Sequence, residues 1–473
     1  MTFASLTYIL FFLFTISLLG LTNIGKVRNA LGARLSLVRH VILLLASYVF
    51  YGWWDWRFCF LMLFVTAVAY VTGVFKNNKF LLITSVCIVL AVLGIFKYYN
   101  FFVESFCDLF SISTKGTISI ILPVGISFYT FQAISYMIDV YKNKIEPEKN
   151  FIHVALYISF FPQLVAGPIV KASEFLPQLK QDRNVSIHNL EAGVQIFVFG
   201  MFKKIVLADN LSVYVDEVFE HPMAFSAGTI CLAVLSYAMQ IYFDFSGYSD
   251  MAIGSARCLG YELTRNFNLP YISQNVSEFW KRWHISLSNW LMEYLYIPLG
   301  GNRKRTIRTY INLMLTMVIG GLWHGANWTF VIWGALHGIA LCVHKIFVRK
   351  IGSKDKNLLG KIISILMTNL FVCFCWIFFR ADNINTAITV ISRIFTFSRG
   401  ITHIYSWTLF ALVLLVICHV SAYCHSKQRG CFEGYYKVFD LNKVSSLVIL
   451  FVMIGLTIGL AYTGSSPFIY FQF

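Results

Sequence analysis

Apolar runs about as long as a bilayer is thick recur along almost the whole of this 473-residue chain, and they decide what it can become. They lie near residues 5–22, 38–54, 58–75, 80–97, 118–140, 151–170, 190–208, 229–256, 307–323, 327–346, 361–379, 406–424 and 444–463. A helix needs roughly 20 apolar residues to cross the hydrocarbon layer. Composition closes off a water-soluble core: 58% of the residues are hydrophobic and 13% charged, where a soluble domain carries about a quarter charged. The chain therefore reads as an all-α, polytopic membrane protein with a single integral-membrane domain over residues 1–473. Several runs are short or carry polar residues, so the expectation is about eleven true crossings, with the rest re-entrant or interfacial. Pro123, Pro162, Pro168 and Pro270 interrupt helical patterns. Non-helical backbone at depth survives only where protein or a water-filled cavity surrounds it.

The formal net charge of +16 does not point to nucleic acid. In a membrane protein Lys and Arg collect in cytoplasmic loops and set the orientation. Basic residues at 26–39, at Lys76 and Lys79, and at Lys142, Lys144 and Lys149 fall on alternate turns, which makes those turns cytoplasmic. The first run, Leu6 to Leu21, has no basic residue before it and Lys26 and Arg28 after it. That pattern predicts a retained first span with an outside N-terminus, not a cleaved signal peptide. The loops Arg303-Lys304-Arg305 and Lys345 to Lys361, with Lys354 and Lys356, also read as cytoplasmic. Segment 307–346 must then go in and come back, turning at Gly325-Ala326-Asn327. His324 at that turn is expected inside the membrane, nearer its outer side.

The 11 cysteines show no zinc-site or disulfide spacing and lie mostly in apolar runs, where they act as small packing residues. No Gly-x-Ser-x-Gly, Walker loop or metal-ligand cluster is present, so a covalent serine enzyme, an ATPase and a zinc enzyme are poorly supported. The informative stretch runs from Glu278 to Asn327. It holds two histidines, His284 and His324, each directly after a tryptophan, Trp283 and Trp323. Polar groups within a membrane are expensive and mark function, and neutral imidazole is the side chain suited to take a proton near pH 7. Helical spacing over 278–296 puts Glu278, Arg282, Ser286, Asn289 and Glu293 on one face and Trp280, His284, Leu287 and Leu291 on another. This predicts one amphipathic helix, interfacial or lining a cavity, with His284 on its apolar side. His337 shares a face with Trp333, either beside the site or in packing. Asp244 and Asp250 occupy one apolar run and need partners. Pairing with an arginine such as Arg257 or Arg282 is favoured over a proton relay. Asn266, Asn268 and Asn275 around Pro270 read as a broken-helix loop without catalytic role.

At these residues the chain resembles the membrane-bound O-acyltransferase (MBOAT) family, in the bacterial branch that acetylates alginate and other cell-wall polysaccharides. The matching stretches are Leu122–Gln132, Phe160–Ile169, Tyr242–Asp250, Phe279–Ser288, Tyr294–Arg303, Gly320–Trp328 and the terminal Ser466–Phe473. One departure is Met292-Glu293-Tyr294, where relatives usually read Arg-Asp-Tyr. The resemblance implies helices around a central tunnel that joins a cytoplasmic entrance to an outer funnel. It puts the family's catalytic histidine on His324 and its partner on His284. Trp323, Trp283, Asp244, Asp250, Asn327 and His337 would line the tunnel or support the pair. No permanently bound cofactor and no metal is implied. The donor would be acetyl-CoA or an acylated carrier, and the acceptor an extracellular polysaccharide reached directly or through an extracytoplasmic acetyltransferase partner. The protein would sit in the bacterial cytoplasmic membrane. Two other readings stay open. One is D-alanyl transfer from a phosphopantetheine carrier to teichoic acid, from a sister branch of the family. The other is a secondary transporter, which would explain Asp244 and Asp250 but calls for internal repeats the sequence does not display.

Overall fold

Each apolar run becomes helix over at least part of its length, as it must where no water is at hand to bond a bare backbone. The computed structural model describes residues 1–473 except 114–115, 166, 182, 304, 352–356, 430–438, 463, 465–467 and 470–473. Lys304, Lys354, Lys356 and most of Ser466–Phe473 thus lie outside the described residues. Among those described, six helices are long and apolar enough to cross a membrane: Gly25–Asp55, Arg57–Val74, Lys79–Leu109, Ala227–Cys258, Trp328–Lys350 and Leu358–Arg380. Four shorter apolar helices, Leu6–Leu21, Ile384–Phe395, Ser406–Ser421 and Val444–Gly459, accompany them. Large apolar side chains point outward, among them Phe60, Phe80, Leu366, Leu370, Val413 and Phe451. In water such a surface would aggregate; in a bilayer it is solvated. The protein is a multi-pass membrane protein.

Three helical patterns are broken, two of them beside Pro123 and Pro162, where the sequence marks an interruption. Over 118–140 the helix begins only at Ile126, because Pro123 disfavours helical backbone at Leu122 and Gly125 turns left-handed at φ 75°. The 151–170 run yields Phe151–Ser159 and then one turn, Phe161–Leu164, with Pro162 in that turn where its missing N–H is harmless. The third break falls at His284.

The chain forms two compact units. The first comprises Met1–Phe199, Tyr248–Thr264 and Val438–Leu447. In it Arg57–Val74 and Lys79–Leu93 pack on Ile126–Tyr141, and Leu35–Asp55 packs on Phe151–Ser159. Tyr8 meets Phe50 and Phe161 edge-on, and the Tyr8 hydroxyl shares a 2.7 Å hydrogen bond with Ser255 Oγ. The second unit comprises Gly200–Gly247, Arg265–Lys437 and Val448–Phe473. Its frame is the antiparallel pair Thr306–His324 and Trp328–Ile351, joined by Leu358–Arg380.

Candidate active site

His324 is the last residue of its helix. The helix stops there because Gly325 turns extended, and a Cβ on Gly325 would collide with the Phe330 ring. Asn327 starts the return: its Oδ1 accepts from Thr329 N at 2.9 Å, and its Nδ2 donates to Asp382 O at 2.8 Å. The expected turn at 325–327 is present, and it pins the imidazole at the hairpin end. Below it, Asn312 Nδ2 donates to Leu299 O at 3.2 Å and ties the same helix to the Pro298–Arg303 loop.

His284 reaches the same place by a different route, and here the single amphipathic helix over 278–296 is corrected. The helix runs Val276–Arg282, breaks at Trp283 and His284, and restarts as Ile285–Leu291 with a π-helical turn to Tyr296. His284 adopts φ 43° and ψ 55°, a left-handed conformation rare for a residue with a Cβ. Such backbone costs about 1–3 kcal/mol and concentrates at functional sites. The asparagines read as a plain loop hold the break open. Asn268 N donates to Arg282 O at 2.9 Å, Ile285 N donates to Asn266 O at 2.9 Å, and Ser286 Oγ donates to Asn266 Oδ1 at 2.6 Å. His284 caps the second helix: Leu287 N donates to its Nδ1 at 3.4 Å. An Nδ1 that accepts leaves the ring proton on Nε2. His284 lies outside the six long apolar helices, and its complete burial lowers the imidazole from its usual 6.5 to about 3, so it stays neutral.

The two imidazoles meet with ring centroids 6.2 Å apart. Aromatic rings surround both. Trp323 lies 5.8 Å from His284 and 5.1 Å from His324. Trp333 and Phe379 stand 5.1 and 5.2 Å from His324, and Phe245 sits edge-on 4.6 Å from His284. This surrounding withholds water, so a neutral base and its partner feel a low dielectric. His337 is one helical turn from Trp333, at 5.0 Å. Trp280 Nε1 donates to its Nδ1 at 3.3 Å, which puts the His337 proton on Nε2. Trp283 stacks on Phe279 at 5.5 Å and reaches Trp376 at 5.0 Å.

The carboxylates go elsewhere. Asp244 does not pair with Arg257 or Arg282, which are taken by Glu262 and Glu278 at 2.7 and 2.9 Å. Its partner is Lys204, a residue the sequence reading passed over: Lys204 Nζ lies 2.7 Å from Asp244 Oδ1 and 2.7 Å from Asp209 Oδ1. Asp244 Oδ2 also accepts from Ile469 N at 2.8 Å. Asp250 belongs to the first unit, where it is buried. Phe245 and Phe379 carried no signal in the sequence, since a phenylalanine in an apolar run looks like any other of the 45.

The sequence model of MBOAT, the membrane-bound O-acyltransferase family, matches residues 146–385. The chain is 42% identical over 372 residues to "Probable alginate O-acetylase AlgI" of Pseudomonas aeruginosa, covering 76% of this chain and 70% of that one. It is 41% identical over 382 residues to the peptidoglycan O-acetyltransferase of Helicobacter pylori, covering 74% and 72%. A teichoic acid D-alanyltransferase of Streptococcus thermophilus is 28% identical over 256 residues, covering 51% and 61%. Two buried imidazoles face each other within the matched region of a multi-pass chain, and the chain belongs to the membrane-bound O-acyltransferase family: it is an acyltransferase.

Proposed function

We propose that the protein transfers an acetyl group from a cytoplasmic thioester, acetyl-CoA, to a hydroxyl acceptor on the far side of the membrane, on the way to an extracellular polysaccharide. The observation that carries this is the pair of imidazoles 6.2 Å apart, one ending a helix and the other held left-handed at a helix break. The likeness to an alginate O-acetylase and a peptidoglycan O-acetyltransferase supports acetyl as the group moved.

In this reaction His324 takes the proton of the acceptor hydroxyl as its oxygen attacks the thioester carbonyl. A C–O bond forms and the carbonyl oxygen gains negative charge. His284, neutral with its proton on Nε2, donates to that oxygen. The C–S bond then breaks, and the proton on His324 passes to the leaving thiolate. The two histidines thus divide the work by tautomer. A ring whose Nδ1 is already committed as an acceptor is a donor at Nε2 and no base there. The donor enters from the cytoplasmic side and the acceptor, polysaccharide or partner protein, from outside, with the N-terminus outside.

The test is acetyl transfer from labelled acetyl-CoA by purified protein in detergent, wild type beside His324→Ala. Release of CoA by the wild type alone is expected. Wild-type transfer by His324→Ala would sink the assignment of the base. No turnover by either, rescued when an acylated carrier protein replaces acetyl-CoA, would move the donor to the carrier class of the D-alanyl branch.

A further inference from the structure

The first unit contains an open cavity of about 700 Å³. Arg28, Asn29, Gly32, Ser36, Lys180 and Gln181 supply the groups that matter, and the lining among the described residues includes no carboxylate. Two segments far apart in sequence build it. One is the short helix Gly25–Leu31 with the turn Gly32–Arg34; the other is Lys180 and Gln181, directly after Ala172–Leu179. Gly32 makes the bowl: its φ of 48° and ψ of −124° suit a residue without Cβ, and they fold the short helix back on the next one.

The bowl is fastened before any ligand arrives. The buried Arg39 spans the two segments, with Nη1 donating to Arg183 O at 3.4 Å, Nη2 to Asn23 Oδ1 at 2.7 Å and Nε to Thr22 Oγ1 at 2.9 Å. Asn23 Nδ2 donates to Val185 O at 3.0 Å. Arg183 holds Gln181 through Nε to Oε1 at 2.9 Å and reaches Gly260 O through Nη1 at 3.2 Å. Lys180 Nζ also lies 3.2 Å from Glu148 Oε2, a pair on a lysine whose side chain is 63% exposed. The other oxygen of Glu148, Oε1, accepts from Asn150 N at 3.1 Å and lies 3.5 Å from His153 Nδ1.

We propose that this cavity binds an organic phosphate. Two cationic side chains with amide and hydroxyl groups between them match phosphate oxygens. The volume lies in the range of small-molecule sites and exceeds what a bare ion needs. Two molecules carry that chemistry: the headgroup of an anionic glycerophospholipid, and the nucleotide end of acetyl-CoA. The second source rests on the proposed donor; the first does not.

The experiment reads binding, so it is independent of turnover. Full-length protein goes into nanodiscs of phosphatidylcholine with or without phosphatidylglycerol, and retention of phosphatidylglycerol is measured by native mass spectrometry. Binding of CoA is measured in parallel by equilibrium dialysis. The variants are Arg28→Gln with Lys180→Gln, and the charge-keeping Arg28→Lys with Lys180→Arg. Arg399→Gln, which removes an exposed cation outside the lining, serves as the control that leaves the cavity intact. At least a tenfold loss of affinity for at least one probe in the Gln pair, recovered in the charge-keeping pair and absent in Arg399→Gln, is expected. Loss confined to phosphatidylglycerol assigns the lipid, and loss confined to CoA assigns the donor. Equal retention of both probes by wild type and Gln pair, or binding of neither by wild type, overturns the proposal.

Discussion

The second unit buries polar groups in two ways, and the difference separates what holds the protein together from what does its chemistry. At Lys204, Asp209 and Asp244 the groups are charged and clustered, with one ammonium between two carboxylates at 2.7 Å each. At His284 and His324 they are titratable groups ringed by Trp323, Trp333, Phe245 and Phe379. The two places touch through one helix: Asp244 supplies the ion pair, and its neighbour Phe245 presses on His284. The ion triad also receives the chain end. Ile469 N bonds Asp244, Phe468 lies 6.0 Å from Phe245, and Tyr462 N donates to Ile205 O in the π-helical turn Phe202–Ala208. A π turn leaves carbonyls unused by the helix, which is how that segment finds an acceptor. Buried ion pairs are costly to disturb. Imidazoles among aromatic rings hold together less and can exchange a proton.

That contrast breaks most sharply if activity and stability are measured together. His324→Gln is expected to cut acetyl transfer by about 10²–10⁴-fold, the span of a lost general base, while the unfolding midpoint in detergent barely moves. Lys204→Met should do the reverse, destabilising by about 3–5 kcal/mol because two buried carboxylates lose their counter-ion. Replacing all three charges by apolar residues of similar volume should recover much of that loss, and if it does not, the triad contributes more than paired charge.

His284→Asn keeps a residue that tolerates left-handed backbone but removes the Nε2–H donor. A fall in kcat of about 10²–10³-fold, with KM little changed, fits a group that meets the carbonyl oxygen in the transition state. A pure rise in KM would make His284 a binding residue instead. Acid sharpens the comparison from the stability side. The unfolded chain protonates His284 near its ordinary 6.5, and the folded protein only near 3. The unfolded state therefore binds more protons between those values, so this contribution is complete above pH 6.5 and is lost as pH falls toward 3. The slope from this one group is at most about 1.4 kcal/mol per pH unit. His284→Asn should flatten the acid limb of the unfolding curve by that amount. The smallest effect is expected at His337→Phe, where Trp280 loses its acceptor: about 1 kcal/mol of stability and less than tenfold in transfer.

Much of this could be read in advance, and the misses share a cause. The hairpin at 325–327 followed from basic loops on both sides of 307–346, and the Trp-His pairs stood out because a polar group in an apolar run is conspicuous. The break at His284 did not, since helical periodicity continues smoothly through it and only the left-handed backbone reveals it. Lys204 was missed for a related reason: its partner Asp244 is distant in sequence, and nearer arginines offered themselves first.

By itself the sequence determined that this protein lives in a bilayer, roughly where its helices run, and which two imidazoles stand out, because hydropathy and local spacing are properties of neighbouring residues. Only the tertiary structure decided where those helices break, which lysine neutralises Asp244, and that His284 has Nδ1 engaged and so presents Nε2–H. Each of these depends on a backbone angle or a long-range contact, and the free energy that sets them comes from groups that meet only once the chain has folded.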